Sequence, residues 1–354
     1  MNKTLLASVF ALALVASVPA YSQMETEAPP VVEGAKPVTV QRIKIHGPSL
    51  VGNLEGNDVD RDALVFLPPS YQKERNRRYP VVYALHGFFI GAEQWSKEIH
   101  APQTFEGAFA LGAKEMIVVL PDSKTLHNGS MYSSSVTTGD FENYVARDVV
   151  AYMDANYRTL PARESRGLVG HSMGGYGATR IGMKHSDVFG SLYVMSPCCL
   201  GARGAPPKEA LESLAKIKRR EDLAKQHFMV TATFAVASAW SPNPKNPPFY
   251  ADLPLEGDGQ SDILAKWAAN APFAFIDQHI GNLKQYRAIA LDVGDQDGLR
   301  VDTAKLHQTL NDYGIENTFE EYAGTHTSKL GDRFQNHVLK FFSDTLCFEK
   351  RCGK

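Results

Sequence analysis

Five short, compact apolar runs punctuate the middle of the chain: Pro80–Leu85, Met116–Leu120, Arg166–Gly170, Ser191–Met195 and Ala288–Val293. Runs of this length fit strands covered on both faces, as in parallel sheets, whereas a strand with one wet face alternates. Val38–Ile45 and Arg61–Leu67 alternate in that second way, and Thr318–Tyr322 is a weaker strand. Segments with helical periodicity lie among them: Phe141–Tyr157, Gly174–His185, Lys208–Ala224, Asp262–His279, Val301–Tyr313 and Leu330–Phe342. Strand and helix taking turns in this manner predict an α/β fold. The expected core is a mostly parallel central sheet of about eight strands with helices on both faces.

Residues 197–285 break the alternation. They carry helices but no convincing strand, and include the Pro-rich run Ser241-Pro242-Asn243-Pro244-Lys245-Asn246-Pro247-Pro248. Because a strand resumes at Ala288, the expectation is a helical lid inserted in one body spanning 38–346, rather than a second domain.

The flanks read differently. Residues 1–20 place one cation, Lys3, before an apolar run from Leu5 to Val15 and end on Val18-Pro19-Ala20. That is the order of a secretory signal peptide, with cleavage after Ala20 or Ser22, and it predicts an exported protein, periplasmic or secreted. The run is too short to span a bilayer, and no later stretch is long and apolar enough, so no integral membrane association is expected. Residues 21–37 are polar and Pro-rich, as in a flexible lead-in, and 347–354 form a short tail. Four cysteines are too few to build a scaffold, so the core must be hydrophobic. In an oxidising compartment Cys347 and Cys352 are placed to close a small loop. Cys198 and Cys199 are neighbours, for which a mutual bond is strained, so they are either buried thiols or one of them pairs elsewhere. With 37 Lys+Arg against 39 Asp+Glu the formal net charge is -2, which gives no electrostatic case for nucleic acid.

The chemistry gathers around Gly170-His171-Ser172-Met173-Gly174, a G-x-S-x-G string. A strand precedes Ser172 and a helix follows it, which is the context of a nucleophile elbow. Glycines flank the serine because the turn is strained and a side chain there would strike backbone. The helix start aims N–H groups at a developing oxyanion. A serine hydroxyl needs a base and an orienting acid, and in α/β-hydrolases the chain order is serine, acid, histidine. Among the later histidines, His326 occupies a loop just past the last strand, whereas His185, His307 and His337 fall in helices and His227 and His279 in the lid. His326 is the expected base. For the acid, Leu291-Asp292-Val293-Gly294-Asp295-Gln296-Asp297-Gly298 ends a strand; Asp292 lies inside the strand and reads as structural, and Asp295 and Asp297 both lie in the loop. The residues alone leave that choice open. The later ligands of a calcium loop are missing there, and no metal is expected. The second oxyanion donor belongs to Tyr83-Ala84-Leu85-His86-Gly87-Phe88-Phe89, making the Phe88 and Met173 amides the expected pair, with His86 bracing the loop. Trp240, Phe249 and Tyr250, beside the Pro-rich run, either stack on an aromatic or sugar group or anchor the lid. Ser133, Ser134, Ser135 and Thr137 either line the pocket or are solvated.

Taken together, the chain resembles the putative-esterase family of α/β-hydrolases. That group includes S-formylglutathione hydrolases, feruloyl and acetyl-xylan esterase domains, enterochelin esterases and mycobacterial mycolyltransferases. The residues that carry the resemblance are Leu67-Pro68-Pro69-Ser70-Tyr71, Arg78 to Gly87, Gly170 to Ala178, Gly294 to Asp297 and Gly324-Thr325-His326. It covers nearly the whole of the body except the lid. The family's G-x-x-D pattern implies Asp297 as the acid, with Asp295 as runner-up. Thr327-Ser328-Lys329 stand where feruloyl-type members commonly have an aromatic residue. The implied activity is that of a serine esterase without metal or organic cofactor, acting on carbohydrate-linked or aromatic acyl esters. S-formylglutathione is disfavoured for an exported protein. Acyl transfer of the mycolyltransferase type and a catalytically silent binding protein are the competing readings.

Overall fold

The structure is a computed structural model, and it describes residues 26–349; the expected signal peptide, the first residues of the lead-in and Cys352 lie outside them. Among the described residues ten strands are present: β1 Thr39–His46, β2 Asp60–Leu67, β3 Val81–Leu85, β4 Ile117–Pro121, β5 Ser134–Ser135, β6 Gly139–Asp140, β7 Arg166–His171, β8 Ser191–Met195, β9 Ala288–Gly294 and β10 Thr318–Tyr322. Eight form one sheet in the order β1-β2-β4-β3-β7-β8-β9-β10, while β5 and β6 make a small hairpin. In that sheet β2 runs antiparallel to both its neighbours, β1 and β4, and β4-β3-β7-β8-β9-β10 are parallel throughout. The limits of β8 and β10 are those read from the sequence, and the other six expected strands shift by about one residue, within the usual scatter of element ends.

The inner strands β3, β4, β7, β8 and β9 are covered on both faces, while the edge strands β1 and β10 are partly exposed. Val81, Tyr83 and Leu85 of β3 point into one core with Leu168, Leu192, Val194 and Leu291. Val82 and Ala84 point into the other with Val169, Tyr193 and Ala290. That period-2 division is why these strands read as unbroken apolar runs. On one face pack α1 Ala92–Glu98, α2 Gln103–Ala110 and the C-terminal helical run described below. On the other pack α3 Phe141–Asn143 and α4 Val150–Asn156, joined by a π-helical stretch (Tyr144–Val149), then α5 Met173–Lys184.

From Pro197 onward the chain leaves the sheet for α6 Lys208–Lys216, α7 Phe228–Trp240, α8 Gln260–Ala269 and α9 Ile280–Leu283 before returning as β9. The expected helix Lys208–Ala224 is two pieces, α6 and a 3-10 stretch from Arg220, and the expected Asp262–His279 ends as a helix at Ala269, before Pro272. Of these elements, α6, the 3-10 stretch and α7 share a small core with Phe249, made of Leu211, Leu214, Ile217, Leu223, Val230 and Phe234, while Leu283 of α9 packs into the main core. After β9 come α10 Arg300–Asp312 and, past β10, α11 Leu330–Arg333, a π-helical Phe334–Val338 and α12 Leu339–Thr345. Asp292, inside β9, is wholly buried and ion-paired at 2.8 Å with Arg333 of α11, and the Tyr193 hydroxyl donates to it at 2.9 Å.

The described part of the lead-in forms no helix or strand, yet it is tied to the body. The Glu27 amide donates to Ser328 O at 2.9 Å, its carboxylate pairs with Lys329, and the carbonyls of Pro29 and Pro30 accept from Gln103 and Gln335. A Pro-rich strip has few amide donors of its own, and here side chains of α2 and the C-terminal helices supply them. Among the described residues no helix is long and apolar enough to cross a membrane.

Candidate active site

Strand β7 delivers Ser172 at the carboxyl edge of the parallel sheet, where ligands meet α/β proteins. Ser172 has φ 57 and ψ -114, a region that costs a residue with a side chain. The surroundings hold it there: its amide donates to Met195 O at 3.1 Å, and its carbonyl accepts from Cys198 N at 3.0 Å. Both flanking glycines are obligatory in this packing. A Cβ on Gly170 would sit 2.0 Å from Gly174 O, and one on Gly174 would sit 2.1 Å from Leu85 O. Helix α5 begins at Met173, so its unpaired first amides and positive end face the serine.

His326 follows β10, and its Nδ1 lies 2.7 Å from Asp297 Oδ2 in the loop after β9. Those two loops touch, since a Cβ on Gly294 would meet Gly324 O at 2.3 Å. Burial pushes the Asp297 carboxyl up, but the hydrogen bond and charge of His326, with the Leu299 amide, hold it below its ordinary value. An anionic carboxylate is thereby set against the His326 imidazole. Asp295 has a different partner: its Oδ1 accepts from Gly324 N at 3.0 Å and so fastens the His326 loop. Of the two aspartates the sequence left open, Asp297 is the one beside His326.

His171 stands one residue before the serine and carries no signal of its own in the sequence. Its Nε2–H donates to His326 O at 2.8 Å, the two rings are 4.5 Å apart, and Trp95 stacks on it. Burial and the neighbouring His326 hold His171 down to about 3, so it braces His326 as a neutral ring. Only its place next to the serine could have signalled this.

The loop after β3 comes in from the other side. A Cβ on Gly87 would lie 3.6 Å from Ser172 Cβ, so backbone rather than side chain abuts Ser172, and Phe88 follows. His86 holds that loop: its Nδ1–H donates to Gly87 O at 2.8 Å and its Nε2 accepts from Ser123 N at 2.8 Å. Burial keeps this ring below its ordinary value, and thus neutral. Gly129, from a third loop, roofs the same spot, because a Cβ there would strike the Phe88 ring at 2.5 Å and Met173 Sδ at 2.9 Å.

Trp240, Phe249 and Tyr250 do not form one surface. Trp240 is buried, donates to Ser133 Oγ at 3.0 Å and packs on Tyr176. Phe249 lies in the small core of residues 197–285, against Phe234 at 4.7 Å. The Tyr250 carbonyl accepts from Thr137 Oγ1 at 2.5 Å, and the Arg220 guanidinium lies 5.9 Å from its ring. Ser133, Ser135 and Thr137 are buried and spend their hydroxyls on this docking. Other aromatic residues meet at the loop after β3. Phe228, at the start of α7, is 42% exposed and lies 5.5 Å from Phe88 and 6.2 Å from Phe89, with Met229 exposed beside it. Nothing in the sequence pairs residue 228 with 88 and 89; the contact joins loops 140 positions apart. Among the described residues, no cluster of three His, Cys, Asp or Glu side chains is arranged for a metal.

The chain is 33% identical to Esterase Rv1288 of Mycobacterium tuberculosis over 131 residues, 36% of this chain and 27% of that one. It is 29% identical over 134 residues to an endo-1,4-beta-xylanase/feruloyl esterase of Xylanibacter ruminicola, covering 36% of this chain and 18% of that protein. The aligned stretches thus span about a quarter or less of these relatives' lengths. A solved ferulic acid esterase superposes with a TM-score of 0.61 over 87% of this chain and 99% of its own at 22% identity, which shows a shared α/β-hydrolase fold. Residues 57–339 match the family described as Putative esterase, a span that holds Ser172, Asp297 and His326, and the chain belongs to that family.

Proposed function

We propose that the protein is a serine esterase that hydrolyses carboxylic esters through an acyl-enzyme. Ser172 attacks the ester carbonyl, His326 takes its proton and returns it to the leaving alcohol, and Asp297 orients and stabilises the imidazolium. The Phe88 and Met173 amides receive the tetrahedral oxyanion, and water then releases the acid. The observations that carry this reading are the 2.7 Å His326–Asp297 hydrogen bond and a serine held at positive φ on a helix start. Esterase-named relatives support it.

Residues 197–285 act in this reading as a lid, whose Phe228 meets Phe88 and Phe89 next to the oxyanion donors. Aromatic walls there favour an apolar or aromatic acyl ester, free or carbohydrate-linked, over a short polar one. Residues 1–20 direct export, to the periplasm or beyond. Ser172→Ala is expected to abolish hydrolysis of a p-nitrophenyl ester while leaving the circular dichroism spectrum unchanged; turnover retained by that variant overturns the assignment. A panel of acetyl, butyryl and feruloyl esters tests the acyl preference, and a kcat/KM highest for acetyl counts against it.

A further inference from the structure

The carboxyl end of β8 carries two adjacent thiols that the proposed esterase mechanism does not use. Cys198 and Cys199 are both half-buried, neither is in a disulfide, and their sulfurs share a hydrogen bond at 2.8 Å. A disulfide needs about 2.05 Å, so the pair is under an ångström from bonding distance. The backbone there is already bent out of the ordinary regions, with φ 39 at Ser196 and φ 62 at Cys199. Such values cost a residue with a side chain and persist only where the surroundings impose them.

The segment has little slack. The Ser196 amide donates to Asp292 O at 2.9 Å, the Cys198 amide to Ser172 O at 3.0 Å, and the Leu200 carbonyl accepts from Phe273 N at 3.0 Å. Pro197 also lies against α5, since a Cβ on Gly175 would meet its Cα at 2.8 Å. A change in the Cys198–Cys199 peptide is thereby delivered to the backbone of Ser172.

We propose that Cys198 and Cys199 form a redox-active dithiol that closes reversibly to a vicinal disulfide and, by pulling on the Cys198–Ser172 hydrogen bond, lowers esterase turnover. The oxidant is an external disulfide, R–S–S–R. The Cys199 sulfur, as thiolate, attacks one sulfur of the reagent, breaks its S–S bond and displaces R–S⁻. Cys198, on losing its proton, attacks the Cys199 sulfur and displaces the second R–S⁻. One S–S bond is lost and one gained; two electrons pass from the pair to the reagent, and both protons leave on two R–SH molecules. Cys199 is suited to the first attack, because the hydrogen bond with Cys198, and then the Arg203 charge, hold it below its ordinary value against its burial. Neighbouring Cα atoms stand about 3.8 Å apart, less than the roughly 4.4–6.8 Å a relaxed disulfide spans. The product is strained, which makes it the easily reduced, switching kind rather than a permanent staple.

The effect on turnover rests on the esterase reading, so the test has a readout independent of it. Full-length protein is treated with oxidised glutathione, its free thiols are alkylated, and the peptide holding both cysteines is mapped by mass spectrometry; mapping separates this pair from Cys347, which is disulfide-bonded. The expected peptide is lighter by two hydrogens and unalkylated, and it takes two alkyl groups after dithiothreitol. Turnover of a p-nitrophenyl ester falls roughly tenfold or more on oxidation, the scale of a small misplacement of a reacting group, and recovers on reduction. Cys199→Ser keeps the reduced enzyme's turnover and ignores the oxidant. A single glutathione adduct without ring closure, or a closed ring with unchanged turnover, overturns the proposal. If reduced protein hydrolyses no ester, the esterase reading fails while the mapping still decides whether the dithiol closes.

Discussion

Asp295 and Asp297 stand two positions apart in one loop and meet different partners. Asp297 faces the His326 ring, and Asp295 the amide of Gly324. Asp297→Asn replaces an anion with an amide that cannot stabilise imidazolium, and kcat is expected to fall about a thousandfold or more. Asp295→Asn keeps an acceptor oxygen for Gly324 and should leave turnover near that of the wild type. Steady-state kinetics of the two variants decides between them, and the reverse ranking gives the acid role to Asp295. Ser172 and His326 were legible from motif and chain order alone. Choosing Asp297 needed the family's G-x-x-D spacing, because two carboxylates in one loop look alike until a partner is placed against them. His171 was illegible for a related reason: its role depends on a carbonyl 155 positions away.

At the scale of elements, the buried strands announced themselves and α7 did not. Phe228–Trp240 reads FMVTATFAVASAW, apolar on nearly every side, with Val230, Thr233, Phe234, Ala237 and Trp240 all buried. A helix covered on nearly every side past its first turn has no 3.6-residue stripe to find, and its β-branched residues blur it further. The π-helical stretches at Tyr144–Val149 and Phe334–Val338 were likewise silent, since one extra residue per turn leaves no mark in composition. The contact of α5 with β3 shows what the sequence does reveal: glycines where backbone must touch backbone. Gly174→Ala puts a methyl group 2.1 Å from Leu85 O, which no side-chain rotation relieves. It should cost about 3 kcal/mol or more, seen as a lower urea midpoint with an unchanged slope. A midpoint equal to the wild type's means that α5 stands off the sheet.

Across the molecule, Glu55 joins three separate regions. Wholly buried in the connection from β1 to β2, it accepts from the His127 amide at 2.8 Å, and the His127 ring reaches Ser238 of α7 at 2.9 Å. Burial raises Glu55 from 4.5 to about 7 against hydrogen bonds from Asn57 and His127 and the charge of Arg220. Between those values the folded chain keeps a proton that the unfolded chain releases. Stability from this group is therefore complete below pH 4.5 and is lost as pH rises through about 7, by on the order of 3 kcal/mol. Urea denaturation across that window should show the wild type losing this amount relative to Glu55→Gln; parallel curves exclude the effect. The lead-in and the last helix add a geometric consequence. Glu27 is bonded to Ser328, two residues beyond His326, whereas Cys347 is bonded to Glu164, just before β7 begins at the far end of the sheet. A tether attached near residue 347 would therefore turn the edge that carries Ser172 and His326 away from a bead. One attached near residue 27 would load the loop that carries His326.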